Sequence, residues 1–178
     1  MTQQQDIDEK IQLVPFNPQW NKIYETETDY LKNTLESEII DIQHIGSTAI
    51  HDIYSKPIID MMIGIDNLEN SGLITQKLVE FGYQYFGEAN VPGRLYFRKR
   101  NKYNFNIALC QYQGDIWTNN ILFRNYLLKH PEAAEAYSTF KKNAFDSGAD
   151  TLLKYSTMKH TFIDEMIRNA RKAGERHE

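Results

Sequence analysis

The stretch KPIIDMMIGID at residues 56–66 is the strongest constraint on the fold. It is a near-continuous apolar run of strand length, with Pro57 at its start. Such a run reads as a strand covered on both faces, inside a sheet with a layer on each side. One residue breaks the pattern, Asp60. An unpaired carboxylate is expensive to bury. Asp60 must therefore be paired, hydrogen-bonded, bound to a cation or exposed at the strand's end.

The segment before it ends in a Gly-Ser pair. EIIDIQHIG at 38–46 reads as a strand that stops at Gly46, and STAIHDIYS at 47–55 as a short helix with Ser47 as N-cap. Glycine lets the backbone approach a ligand closely, and the first amides of a helix carry partial positive charge and lack intrahelical partners. Phosphate suits such a turn, with the Ser47 and Thr48 hydroxyls adding bonds. The plainer alternative is an N-cap after a tight turn. The Walker pattern is absent.

Elsewhere the periodicities predict an α/β part followed by helices. IQLVPF at 11–16 has strand character, and residues 18–35 repeat apolar side chains at helical spacing. Residues 72–81 read as a helix with Gly82 at C′, and 83–87, 94–100 and 103–112 as strands. The last two would be joined by a turn at Arg100-Asn101-Lys102. After Gly114 the pattern becomes helical, with Pro131 in a first turn and one apolar stripe from Leu152 to Ala170. The expected organisation is an α/β core over 1–115 and a helical part over 116–178 packed on it. A chain of 178 residues can bury one sizeable core this way.

The formal net charge of −4 argues against a protein that grips nucleic acid through a broad basic surface. It leaves room for a small basic pocket. The single cysteine, Cys110, lies in the apolar run FNIALC and reads as a core residue. The polar start, MTQQQDIDEK, reads as a loose lead-in without a signal sequence. No run reaches membrane-span length, so the expected location is the cytoplasm.

Side chains alternate along a strand, so Asp60 and Met62 share a face. A metal-dependent phosphoryl or nucleotidyl transferase would want a second carboxylate at 62 to hold Mg²⁺ with the first. Met62 is no ligand for a hard cation. His44 can orient Asp60 or act as an acid–base group, or be a satisfied structural histidine. Lys56 can neutralise a phosphate or pair with Asp60. Arg94, Tyr96, Arg98 and Arg100 share one face of a hairpin strand. Arg94 and Arg98 can grip phosphate oxygens, whereas Arg100 and Lys102 read as a solvated tip. Tyr155 and Lys159, four apart on a helix, can close a cleft from the helical side or simply pack.

HIGSTAI followed by KPIIDMMIGI resembles the signature of the GrpB family, a branch of the nucleotidyltransferase superfamily. LFRNYLLKHPEAAEAYSTFKK, KYSTMKHTFIDEMI and VPFNPQW resemble further segments of that family, so the likeness spans roughly 11–168. It implies a nucleotidyltransferase-like mixed sheet flanked by helices, with a helical C-terminal part. Carried over by position, Gly46 and Ser47 would contact phosphate, and Asp60 would be the first acid for Mg²⁺. Met62 replaces the second acid and Asn106 stands near the third, unless a distant acid such as Glu88 completes the set. The implied function is binding of a nucleotide or other phosphorylated ligand, with metal-dependent nucleotidyl transfer in the active case. The alternatives are a non-catalytic nucleotide- or coenzyme-binding regulatory module and a protein-interaction scaffold.

Overall fold

In a computed structural model of the chain, residues 7–174 are described. Most of the polar lead-in, and Arg176 and His177 of the basic tail, lie outside them. The centre is a five-stranded sheet: β1 (Asp41–Ile45), β2 (Ile59–Ile65), β3 (Gln84–Tyr85), β4 (Arg94–Arg100) and β5 (Asn104–Gln111), in spatial order β1-β2-β5-β4-β3. Only the β2–β5 pair is parallel. The sheet is therefore mixed, and the apolar β2 lies inside it between β1 and β5.

One face of the sheet is covered by α1 (Gln19–Leu35) and α2 (Gly72–Glu80). Trp20, Leu31, Leu35, Ile74 and Leu78 from these helices close over Ile59, Met61, Ile63, Ile107 and Leu109. The end of α2 follows the sequence expectation: Gly82 takes φ +93°, its amide bonds the Val79 carbonyl, and the Tyr83 amide reaches back to Leu78. The opposite face carries Met62 and Cys110, packed under Trp117 and Ile121 of α3 (Asp115–Lys129). Cys110 is a buried free thiol, as expected. The helical layer is completed by α4 (Pro131–Asp146) and α5 (Leu152–Lys172).

Three local expectations are corrected. Residues 11–16 form no strand of the sheet; Val14 makes a single bridge to Ser55, and Lys10, just before the segment, one to Thr151. Residues 47–55 form one 3₁₀ turn, Ser47–Ala49, whose cap is Gly46 and not Ser47. The β4–β5 connection runs over 101–103, so Arg100 belongs to the strand and not to the turn.

The lead-in, where described, is a strap rather than a loose tail. The Ile11 amide bonds the Asp150 carbonyl, the Leu152 amide bonds the Glu9 carbonyl, and the Leu153 amide bonds the Asp8 carboxylate. Glu9 also receives Arg98 and Arg100 from β4, so the strap joins the sheet to the start of α5. Among the described residues no helix is long and apolar enough to cross a membrane.

Candidate functional site

Strand register sets the site. Asp60 lies opposite Asn106, and Asn106 opposite Arg98, so one row of side chains faces α3–α5. The Asn106 amide donates to Asp60 Oδ1 at 2.7 Å, while its own Oδ1 accepts from Arg100 at 2.9 Å. Gly46 meets the same carboxylate from the side. Its φ is +70°, and a Cβ built there would come within 2.5 Å of Asp60 Oδ2. Any side chain at 46 would be strained by the backbone and would collide with the acid. The Ser47–Ala49 turn follows directly. Its first closing bond runs from the Ala49 amide to the Gly46 carbonyl, after the Ser47 and Thr48 amides.

A cleft of about 400 Å³ opens over this row, between the sheet and the helices. Its floor includes Gly46, Ser47, Asp60 and Asn106, and its helical wall includes Phe123 and Ile163. The charged side chains lining it are Lys56, Arg94 and Lys159 against the single carboxylate of Asp60. The cleft is thus net positive in a chain whose overall charge is −4. Among the described residues none of the three cations has a carboxylate at ion-pair distance. Lys56 and Lys159 converge on the same ring, with their ammonium groups 5.8 and 5.0 Å from the Tyr155 centroid. Arg94 lies over Tyr96 and donates to the Ala89 carbonyl at 3.4 Å, but its Nε is buried without an acceptor.

These cations are electrostatically strained. Burial, and then the neighbouring Lys159 charge, push the Lys56 ammonium down to about 8, with Asp60 and Glu9 pulling the other way. Burial also lowers Lys159, again against the pull of Asp60. A bound anion would relieve both shifts, since it favours the protonated forms.

Other candidates do not reach the cleft. His44 pairs with Met61, on the opposite face from Asp60. Its ring stacks on Tyr24 at 4.6 Å and its Nε2 lies 2.9 Å from the Thr48 hydroxyl. Burial lowers it to about 4, so it is neutral at pH 7. It neither orients Asp60 nor faces a ligand, and Thr48, 1% exposed, is spent on it. Arg98 is buried, paired with Glu9 at 3.2 Å and bonded to the Ile7 carbonyl at 2.7 Å. It serves the strap, not the cleft. Arg100, expected at a solvated tip, grips Glu9, Asn106 and the Phe105 carbonyl. Glu88 is exposed and accepts the Gly93 amide.

The donor set does not fit a chelated Mg²⁺. Met62 is 0% exposed under α3, so the position of a second acid is packed shut. Position 106 carries a neutral amide whose oxygen is already taken. Among the described residues no three His, Cys, Asp or Glu side chains gather into a metal-sized group. One carboxylate among three cations is a poor host for a divalent ion.

The helical wall holds residues that local motifs do not mark. Asn119 and Asn120 of α3, and Ile163 and Ile167 of α5, line the cleft with Lys159. The readable signal was spacing: 159, 163 and 167 form one stripe of a helix. Nothing comparable marks the two asparagines.

A family profile described as GrpB protein matches residues 10–169. UPF0157 protein YqkA of Bacillus subtilis (strain 168) is 32% identical over 164 residues, covering 92% of this chain and 48% of that protein. The chain therefore spans about half the length of that relative. Glutamate-rich protein GrpB of Alkalihalophilus pseudofirmus is 31% identical over 161 residues, covering 87% of this chain and 92% of that one. The crystal structure of conserved protein GrpB from Enterococcus faecalis superposes with a TM-score of 0.82 at 30% identity, covering 93% of this chain and all of that one. A likeness of fold alone, TM-score 0.54 at 12% identity, links 82% of the chain to 58% of a chain in the structure of the GLD-2/RNP-8 complex. The chain belongs to the GrpB family.

Proposed function

We propose that the cleft binds a small phosphorylated ligand of the nucleotide kind, and binds it without a protein-held divalent metal. The observation that supports this is the trio Lys56, Arg94 and Lys159, which line the same cleft as the Gly46–Ser47 turn with no carboxylate at pairing distance among the described residues. Partly buried cations without a directly paired carboxylate are costly, and a phosphate would supply further charge and acceptors. Asp60 then acts as a shared counter-ion that draws the three cations inward: its charge acts on Lys56, Arg94 and Lys159 alike. The Ser47 hydroxyl, which lines the same cleft, adds a donor at the turn.

The second reading, metal-dependent nucleotidyl transfer with Asp60 as the metal's carboxylate, is the alternative the test must exclude: the donor set, without an acid at 62 or 106, weighs against it.

Thermal denaturation with ATP, CTP, GTP, UTP, the four monophosphates and coenzyme A, with and without Mg²⁺ or Mn²⁺, separates the two. The first reading expects a metal-independent rise in Tm for at least one compound. At a hundredfold excess over Kd, the stabilisation is ~2.7 kcal/mol, or roughly 5–10 °C for a chain this size. Asp60→Asn would keep that response. Binding that needs metal, vanishes in Asp60→Asn and releases pyrophosphate would move the assignment to the transferase. No response to any of these compounds would defeat both readings.

A further inference from the structure

Resting on the ligand-binding reading above, we propose that the ligand is a phosphate monoester, a single dianionic phosphoryl group on an organic body, and not a di- or triphosphate. Charge balance is the first ground. Three cations and one carboxylate line the cleft, leaving a formal excess of two positive charges. A monoester carries about −1.5 to −2 at neutral pH and closes that balance. Each further phosphoryl group adds negative charge that would face Asp60 with nothing left to neutralise it.

Geometry is the second ground. The Lys56 and Lys159 ammonium groups approach one ring from 5.8 and 5.0 Å, and both belong to the cleft that contains the Gly46–Ser47 turn. Both ammonium groups therefore lie beside the one Tyr155 ring, in one part of the cleft. The remaining lining is apolar, amide or hydroxyl, with Phe123, Ile163 and Ile167 beside Asn119, Asn120 and Ser156. That is a seat for an organic body, aromatic or aliphatic, with amides to read its polar edge.

The third ground is what the other basic residues already do. Arg98 and Arg100 are held by Glu9, Arg124 by the Gln43 side chain and the His44 carbonyl, Lys99 by Glu27, and Lys141 by the Tyr54 carbonyl. None of these is left to extend the cradle along a polyphosphate. The poor fit of the donor set to Mg²⁺ removes the usual means of neutralising a phosphate chain.

Isothermal titration of the full chain at pH 7 tests this. The probes are AMP, CMP, GMP, UMP and phenyl phosphate against the four triphosphates, each with EDTA and again with Mg²⁺, with adenosine and inorganic phosphate as controls. The expected result is a monoester at least tenfold tighter than its triphosphate in both conditions. Lys159→Met should cost at least tenfold in monoester affinity and Lys159→Arg much less, with circular dichroism confirming that both variants fold. Asp60→Asn supplies an independent check: with the excess raised to three charges, triphosphate should gain on monoester. A triphosphate that binds as tightly as its monoester, with or without Mg²⁺, would overturn the inference while leaving a phosphate-binding cleft in place. A failure of every phosphorylated probe would sink the cleft reading itself.

Discussion

Gly46 shows how much one missing side chain can decide. Its positive φ and its contact with Asp60 are two independent reasons for glycine. Gly46→Ala should cost about 1–3 kcal/mol of stability, from backbone strain and from displacing the acid. Phosphate affinity should fall with it; a thermal melt and a titration on the same variant read both. His44 is the second residue with a sharp expectation. Its folded value is about 4 against an ordinary 6.5, so below pH 6.5 the unfolded chain takes up a proton that the native protein refuses. Stability should therefore drop as pH falls from 6.5 towards 4, by up to about 3 kcal/mol. In His44→Gln that acid-dependent loss should be largely absent, as urea titrations at several pH values would show.

Among the elements, β2 carried most of what the residues revealed in advance. Its apolar run demanded cover on both faces and has it, and the capped end of α2 needed only local spacing. Faces set by partner strands could not be read in the same way. His44 points away from Asp60 because of the β1–β2 register, which depends on the path of the intervening loop. Arg98 and Arg100 looked available because their partner, Glu9, is remote in sequence, 91 residues from Arg100, in a segment with no marked pattern of its own. The cleft was legible through Gly46, Ser47, Lys56, Asp60 and Arg94, and half-legible through Lys159; its α3 wall was not. Met62 gives an element-level test. Restoring an acid there would not rebuild a metal site, because Trp117 and Ile121 close over that strand position. Met62→Asp should instead destabilise the protein by about 3–5 kcal/mol as an uncompensated buried charge. Chemical denaturation would check this, and a Mg²⁺-dependent rise in Tm in that variant would contradict it.

For the whole molecule, the strap is the part that links layers. Burial alone would raise the Glu9 carboxyl, but the Arg100 hydrogen bonds and charge, helped by Arg98, hold it below its ordinary range. Its contribution is thus present above the unfolded value near 4.5 and is lost as pH falls through the lower, folded one. Glu9→Gln should cost about 1–2 kcal/mol at neutral pH, since the pair is partly exposed, and little in strong acid. Comparing melts at pH 7 and pH 3 would expose that convergence.

The four charges that line the cleft arise from three separate stretches of backbone: one with Lys56 just before β2 and Asp60 at its start, one with Arg94 at the start of β4, and one with Lys159 on α5. No fragment carries more than a remnant of this surface. Affinity for the proposed phosphate ligand should therefore fall under any condition that loosens the helical layer alone.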